Sequence, residues 1–414
     1  MAPPSKSYTH RAILAAGHSL STKIENPLLS ADTRATIRAI EALGSTITED
    51  DGLSITGFHD HPSPPSDVID CANSGTTMRL LIATAALVDG TTTLIGDESL
   101  SSRPQGELLD AIIQLGGEAT SIENNGSAPL AIKGPIKGGS VSVPGNISSQ
   151  FITSLLMAGG VTEAGIDITI TSELKSKPYV DITIEILQSF GIETHATENG
   201  YRVPGGQSYS SHNPVYKVPG DFSSMSYLLA AGALASDNGV VVTGAQPTSQ
   251  GDAAIVDILS NMGADIHWDL SKETITVTKS TLSGATIDVG NTPDLLPTIA
   301  ILGATATGKT TIVNCSHVRY KETDRVSAMS EELQKLGVKT KEQSDKLTIY
   351  GSNSPPLGAK LNGRGDHRIV MSLSILGLIS SGAIQISGAE HVAVSYPEFF
   401  QVLKSLGAEI KGDQ

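Results

Sequence analysis

Six of the ten arginines in this chain, Arg11, Arg79, Arg103, Arg319, Arg325 and Arg368, share two kinds of position. Each lies in the first turns of a segment with helical periodicity or in the loop that leads into one. Lys6, Lys177 and Lys321 stand at the same places. The start of a helix carries unpaired N–H groups and about half a positive charge, so a cation there is unfavourable unless an anion accompanies it. Cations repeated in register at such ends point to a site for several negative groups on small molecules. Polar residues join them: Ser7, Asn73-Ser74-Gly75-Thr76, Ser148-Ser149-Gln150, Ser176 and Ser223-Ser224. Each of these reads equally as an ordinary N-cap, as do the carboxylates Asp294 and Asp366. Glu322 is different, because it stands inside the charged run from Tyr320 to Arg325.

Other chemistries find little support. Cys71 and Cys315 are the only cysteines and lie far apart, which excludes a disulfide framework and a cysteine-based metal cluster. No HExxH or CxxC motif offers a metal site. Gly303-Ala-Thr-Ala-Thr-Gly308-Lys309-Thr310 matches the phosphate-loop pattern GxxxxGK[ST], which needs a strand before it and a helix beginning at the lysine. The surrounding pattern predicts the reverse, a helix ending there and the strand Thr310-Thr311-Ile312-Val313 following. The 28 basic and 43 acidic residues give a net charge of −15, which disfavours nucleic acid and anionic lipid as partners. No apolar run approaches the roughly 18 to 20 residues of a membrane span. A cytoplasmic monomer acting on small molecules is expected.

The elements that must position these residues come from an internal repeat. Six segments end alike, at Gly44, Gly116, Gly191, Gly263, Gly337 and Gly407, at intervals of 72, 75, 72, 74 and 70 residues. Each reads as an amphipathic helix closed by a C′ glycine and followed by a strand. A more apolar helix precedes each one, in runs that start at Ser7, Ser74, Ser148, Ser223, Asp294 and Asp366. The unit is helix, strand, loop, helix, strand, with a further strand between units. Such units are longer than the roughly 20 to 50 residues usual in a solenoid. Three of them closing around their apolar helices make one α/β domain, and six make two. The division is predicted in the polar stretch from Gly205 to Pro214, giving domains 5–210 and 211–414 joined also through residues 1–4.

The ordered set Pro4-Ser5-Lys6-Ser7…Arg11, Asn73-Ser74-Gly75-Thr76…Arg79, Arg103-Pro104, Ser148-Ser149-Gln150, Ser176-Lys177-Pro178-Tyr179, Gly220-Asp221…Ser223-Ser224, Asp294, Lys321 to Arg325 and Asp366-His367-Arg368 closely resembles the 5-enolpyruvylshikimate-3-phosphate synthase family of enolpyruvyl transferases. The resemblance runs along essentially the whole chain. It implies a two-domain inside-out α/β barrel of six units, three per domain, closing over a cleft. It also implies transfer of the enolpyruvyl group of phosphoenolpyruvate to the 5-hydroxyl of shikimate 3-phosphate, with release of phosphate and no cofactor. Carried over by resemblance, Lys6, Gly75, Arg103, Gln150, Arg325 and Arg368 hold phosphoenolpyruvate. Ser7, Arg11, Ser148, Ser149, Gln150, Ser176, Asp294 and Lys321 hold shikimate 3-phosphate, with Tyr179 and His317 beside them. Asp294 is then the base on the hydroxyl and Glu322 the acid toward the methylene, with Lys6 near the transferring protons.

Three departures from the family pattern stand out. Only Met1 to Pro4 precede Ser5, where relatives carry a strand, which leaves a shortened start, a misassigned start or a single crossing between domains as readings. Val394 stands where many relatives place a phosphate-binding lysine, and Leu80 where a proline is frequent. The rival readings are UDP-N-acetylglucosamine enolpyruvyl transferase and a non-catalytic anion-binding relative. The former resembles the chain in its repeats but carries Lys-Asn where Lys6-Ser7 stands, and a loop cysteine absent from Ser101-Ser102-Arg103-Pro104.

Overall fold

A computed structural model of the chain describes residues 1–210, 214–352 and 354–412. It divides into two compact bodies, one of Pro4–Pro219 and one of Gly220–Gln414 together with Met1–Pro3. The boundary predicted between residues 210 and 211 abuts residues 211–213, which lie outside the described residues.

Among the described residues the α-helices come in six pairs. In the first body these are α1 (Lys6–His18) and α2 (Ala31–Ala42), α3 (Gly75–Ala85) and α4 (Gly106–Gln114), α5 (Ser149–Gly159) and α6 (Lys177–Ser189). In the second they are α7 (Phe222–Ala235) and α8 (Ile255–Asn261), α9 (Leu296–Thr305) and α10 (Arg325–Lys335), α11 (His367–Gly377) and α12 (Phe399–Ser405). The first helix of each pair is buried nearly all round, although α1 buries Thr9, His10, Arg11 and His18 along with its apolar residues. In α7 every residue from Phe222 to Leu234 is buried, as a helix without a polar face must be. The second helices bury one stripe; α4 buries Leu108, Leu109, Ala111 and Ile112.

Hydroxyls stitch the buried helices together. Thr36 Oγ1 meets His10 Nδ1 and Thr77 Oγ1, both at 2.7 Å, joining α1, α2 and α3. Ser154 Oγ accepts from Ala83 N–H at 3.1 Å and donates to Leu80 O at 3.3 Å, joining α3 to α5. Ser226 and Thr298 meet at 2.9 Å between α7 and α9.

Each full unit carries a sheet of four strands. In the second unit the order is Ile69–Asp70, Thr91–Ile95, Leu130–Lys133, Glu118–Ser121. The first two strands are parallel and the rest antiparallel. A parallel pair needs a crossover, which α3 supplies; the antiparallel pair needs only a short turn. The repeating order is therefore strand, helix, strand, helix and then a two-strand hairpin, one strand more than the sequence pattern revealed.

The first unit lacks a leading strand of its own, and Val215–Lys217 fills that slot, parallel to Ser21–Glu25. In the fourth unit, Ala2 N–H donates to Thr243 O at 2.8 Å beside the three-stranded sheet. Ala2 is buried in the core of the second body. The chain thus passes between the bodies twice, after Pro3 and after Pro219. The sixth unit also differs from expectation. Its sheet has only Lys360–Asn362 and Gln385–Ser387, and no strand follows Gly407 among the described residues.

All six repeat glycines adopt positive φ, from +75° at Gly191 to +112° at Gly44, the left-handed cap that other residues enter only at a cost. At the phosphate-loop look-alike, α9 ends at Thr305 and the strand Gly308–Val313 begins. Lys309 lies in that strand, with no helix N-terminus to cradle a phosphate.

Candidate active site

In the first body the predicted site residues lie at the starts of α1, α3, α5 and α6. Lys6, at the first position of α1, pairs with Asp32 at 2.8 Å. Asp32 is in the first turn of α2, and His10 Nε2 stands 3.7 Å from the same carboxylate. Burial pushes the Asp32 carboxyl up, but Lys6 and His10 outweigh it and hold it well below the usual carboxylate range. Burial lowers His10 from its ordinary value, against the pull of Asp32. Sequence reasoning passed over Asp32 because an acidic residue in a helix's first turn is ordinary there.

Arg11 is a latch. Its Nε donates to Thr183 Oγ1 at 2.9 Å, Nη1 to Ser7 O at 2.9 Å, and Nη2 to Thr153 Oγ1 and Tyr179 O at 3.3 and 3.1 Å. It therefore draws the beginnings of α1 and α6 together against α5, placing Ser7 near Tyr179. Burial lowers Arg11 to about 10. Ser176, just before α6, is buried and holds φ +57°, a strained conformation for serine that accompanies functional positions.

A second group forms around α3 and α5. A Cβ on Gly75 would lie 2.8 Å from Arg103 Nη1, so any larger residue there would make the guanidinium shift from its place over the helix start. Arg103 Nη2 reaches Ser99 Oγ at 3.2 Å and Asn73 Oδ1 at 3.4 Å. Gln150 accepts from Arg79 Nη1 at 3.0 Å and donates to Thr76 Oγ1 at 2.9 Å. Arg79 Nε in turn donates to Gln105 Oε1 at 3.2 Å. Arg79 thus orients two glutamines. Ser148 caps α5, accepting from Gln150 N–H at 3.3 Å, with Ser149 buried next to it.

In the second body Asp294, Glu322, Lys321, Arg325 and Arg368 come together. Arg325 is 1% exposed and touches three carboxylates. Its Nε donates to Asp366 Oδ2 at 2.7 Å, Nη1 to Asp294 Oδ1 at 2.8 Å and Nη2 to Glu322 Oε2 at 2.5 Å. Arg368 Nη2 takes the other Asp294 oxygen at 2.8 Å, and Lys321 Nζ stands 3.9 Å from Oδ1. Burial drives the Asp294 carboxyl up, yet Arg368, Lys321 and Arg325 overcome it and hold it well below the usual range. Against burial, Asp366, Glu322 and Asp294 raise Arg325.

Asp366 does cap α11, accepting from Arg368 N–H at 2.8 Å. Asp294 instead lies in a 3₁₀ turn, Pro293–Leu295, ahead of α9. The anions that compensate Lys6, Lys321, Arg325 and Arg368 at these helix starts are the chain's own carboxylates. Arg319 does not join the cluster; it is spent on Asp324, Glu342 and the carbonyls of Gln343 and Ser344. Val394 ends a 3₁₀ turn, Ala389–Val394, and brings no charge.

Repeated units of this strand-and-helix order, with arginine and carboxylate clusters at helix starts, define an enolpyruvyl-transferase type of protein, and the comparisons agree. The profile of the EPSP synthase (3-phosphoshikimate 1-carboxyvinyltransferase) family matches residues 1–403. The 3-phosphoshikimate 1-carboxyvinyltransferase of Halobacterium salinarum is 58% identical over 415 residues, covering 99% of this chain and 96% of that one. That of Methanosarcina acetivorans is 49% identical, covering 99% and 95%. Among solved structures, EPSP synthase from Acinetobacter baumannii superposes with a TM-score of 0.84 at 28% identity, covering 100% of this chain and 96% of that one. The enolpyruvyl transferase NikO from Streptomyces tendae shares the fold, with a TM-score of 0.79 at 20% identity and coverage of 99% and 94%.

The chain belongs to the EPSP synthase family. Its activity is that of a 3-phosphoshikimate 1-carboxyvinyltransferase of the shikimate pathway. No helix among the described residues is long and apolar enough to cross a membrane, and no group of three or more potential metal ligands occurs among them.

Proposed function

We propose that the reaction joins phosphoenolpyruvate to the 5-hydroxyl of shikimate 3-phosphate through the residues gathered above. Lys6, Gly75, Arg103, Gln150, Arg325 and Arg368 serve phosphoenolpyruvate; Ser7, Arg11, Ser148, Ser149, Gln150, Ser176, Asp294 and Lys321 serve shikimate 3-phosphate. Asp294 takes the hydroxyl proton as the oxygen attacks C2, and Glu322 delivers a proton to the C3 methylene, giving a tetrahedral ketal phosphate. The C2–O bond to phosphate then breaks while C3 returns one proton, leaving the enol ether and inorganic phosphate. The residues need opposite protonation states on the two sides of one carbon.

The observation that carries this reading is the carboxylate shared between Arg325 and Arg368. Two guanidinium groups holding one carboxylate form a seat that fits the carboxylate of phosphoenolpyruvate. Asp294 occupies that seat in the structure, where its charge pairing makes it a poor base. A substrate carboxylate that draws the arginines away returns proton affinity to Asp294, so the base becomes effective as the substrate arrives. Glu322, relieved of Arg325, can carry its proton in the same event.

Kinetics and binding of Asp294→Asn and Glu322→Gln test the assignment. Both variants should lose at least about a hundredfold in kcat, measured by phosphate release. Asp294→Asn should bind phosphoenolpyruvate as tightly as the parent or more tightly, since the internal competitor is gone. Equal losses of affinity and turnover would remove the acid–base roles.

A further inference from the structure

Asp252 lies outside every role assigned so far, yet it is built into the second body's cluster. It sits in the 3₁₀ turn Gly251–Ala254 ahead of α8 and is 3% exposed. The loop before it is fastened to the beginning of α7 by Gln250, whose Oε1 accepts from Phe222 N–H at 3.0 Å and whose Nε2 donates to Gly220 O at 2.8 Å. That staple presses Asp252 against Ser223, whose hydroxyl donates to Oδ2. The other oxygen, Oδ1, is buried with no hydrogen-bond partner among the described residues. One turn further along α7, Tyr227 OH accepts from Arg368 Nη1 at 3.4 Å. The α7 face that holds Asp252 is therefore also the face against which Arg368 rests.

A buried carboxylate with one oxygen unsatisfied is costly. The arginine cluster already balances: Arg325, Arg368 and Lys321 face Asp294, Glu322 and Asp366. A fourth negative charge there opposes the capture of an anion. We propose that Asp252 is a positioning residue of the phosphoenolpyruvate seat that works as the neutral acid: uncharged, it leaves Arg368 to the substrate, and ionised, it competes for Arg368 and repels the incoming anion. The inference rests on the assignment of Arg325 and Arg368 to phosphoenolpyruvate.

The charges around Asp252 agree. Burial first and Asp294 second push its carboxyl up to about 7, with Ser223 and Arg368 opposing and Asp221 adding to the rise. The charged groups that act on it are Asp294 ahead of α9, Arg368 of α11 and Asp221 at the N-cap of α7, with Tyr227 one turn along α7 from Ser223. Burial carries Tyr227 up to about 12, so it stays neutral through this window.

The test is KM for phosphoenolpyruvate from about pH 6 to 9 in the wild type, Asp252→Asn and Asp252→Ser. The wild-type KM should rise up to about tenfold between about pH 6 and 8, with kcat nearly flat. Asp252→Asn should match the wild type at the acid end and then stay low. Asp252→Ser, which removes the charge but not all polarity, should show the same flattening. Substrate phosphates titrate near pH 6 but do so identically in every variant, so the ratio of profiles is the readout. Calorimetry of the wild type and Asp252→Asn in two buffers of different ionisation enthalpy gives a second measure, and more net proton uptake on phosphoenolpyruvate binding near pH 8 is expected in the wild type than in the variant. Superimposable wild-type and Asp252→Asn profiles, or equal proton uptake in the two, would overturn the proposal. Arg368→Lys separates the two levels: an unchanged KM there removes the seat itself, whereas a raised KM with superimposable Asp252 profiles removes only the role of Asp252.

Discussion

Gly75 and Arg103 show how far one side chain depends on the absence of another. The guanidinium of Arg103 lies where a Cβ on residue 75 would come within 2.8 Å of Nη1. Gly75→Ala should therefore push Arg103 off the helix start and raise KM for phosphoenolpyruvate by about tenfold or more, with a smaller effect on KM for shikimate 3-phosphate. Arg103→Ala should produce the same selectivity through loss of the charge. Steady-state kinetics with each substrate varied in turn checks both, and an unchanged phosphoenolpyruvate KM in either would remove Arg103 from that role. Gly75 entered only through the family resemblance, and Arg103 was legible as one of a set of cations placed at or before helix starts. Asp32 and Asp252 were not. A lone acid in the first turn of a helix is common, and only tertiary packing shows that Asp32 answers Lys6 and that Asp252 is pressed against Ser223.

The elements were legible wherever backbone conformation narrows the choice of residue. The six repeat glycines all sit at positive φ, and an L side chain there costs on the order of 1 kcal/mol. Selection for that conformation left a mark every 70 to 75 residues. Gly116 isolates the effect: φ is +89° and a Cβ would meet nothing within 4 Å. Gly116→Ala should destabilise by about 1 kcal/mol with no steric component. Gly106, at the start of α4, also faces open space but lacks the positive φ. Gly106→Ala should be neutral or stabilising by up to about 1 kcal/mol. Urea unfolding of both variants checks the pair; equal losses would mean that conformation is not the cause. The extra hairpin strand and the strand exchanged into the first unit were less legible. Val215–Lys217 is only three residues long, too short for periodicity to identify, and its partner Ser21–Glu25 is remote in sequence.

Over the whole molecule two populations of charge respond to solvent in opposite ways. The surplus of acidic residues, 43 against 28, is mostly on the surface, where its self-repulsion weakens the compact state and is screened by salt. The Arg325–Asp366 pair, at 1% and 0% side-chain exposure, is shielded from ions. Raising KCl from about 0.1 to 1 M, which shortens the screening length from about 10 to 3 Å, should therefore raise the melting temperature. Acid acts through the buried set. Asp32 is held below its ordinary value of 3.8, so its pairing with Lys6 contributes stability that is present above that value and is lost as pH falls through the folded one. His10, lowered from 6.5, binds its proton in the unfolded chain first, so stability already declines with pH below that point. Both signs agree. Melting temperature should fall with decreasing pH, steeply below about pH 4. Asp32→Asn should be less stable than the wild type at neutral pH, by roughly 2 to 4 kcal/mol, and should lose less on acidification. A wild type and variant whose melting curves shift in parallel between about pH 7 and 3 would show that the Lys6–Asp32 pair is not the acid-sensitive element.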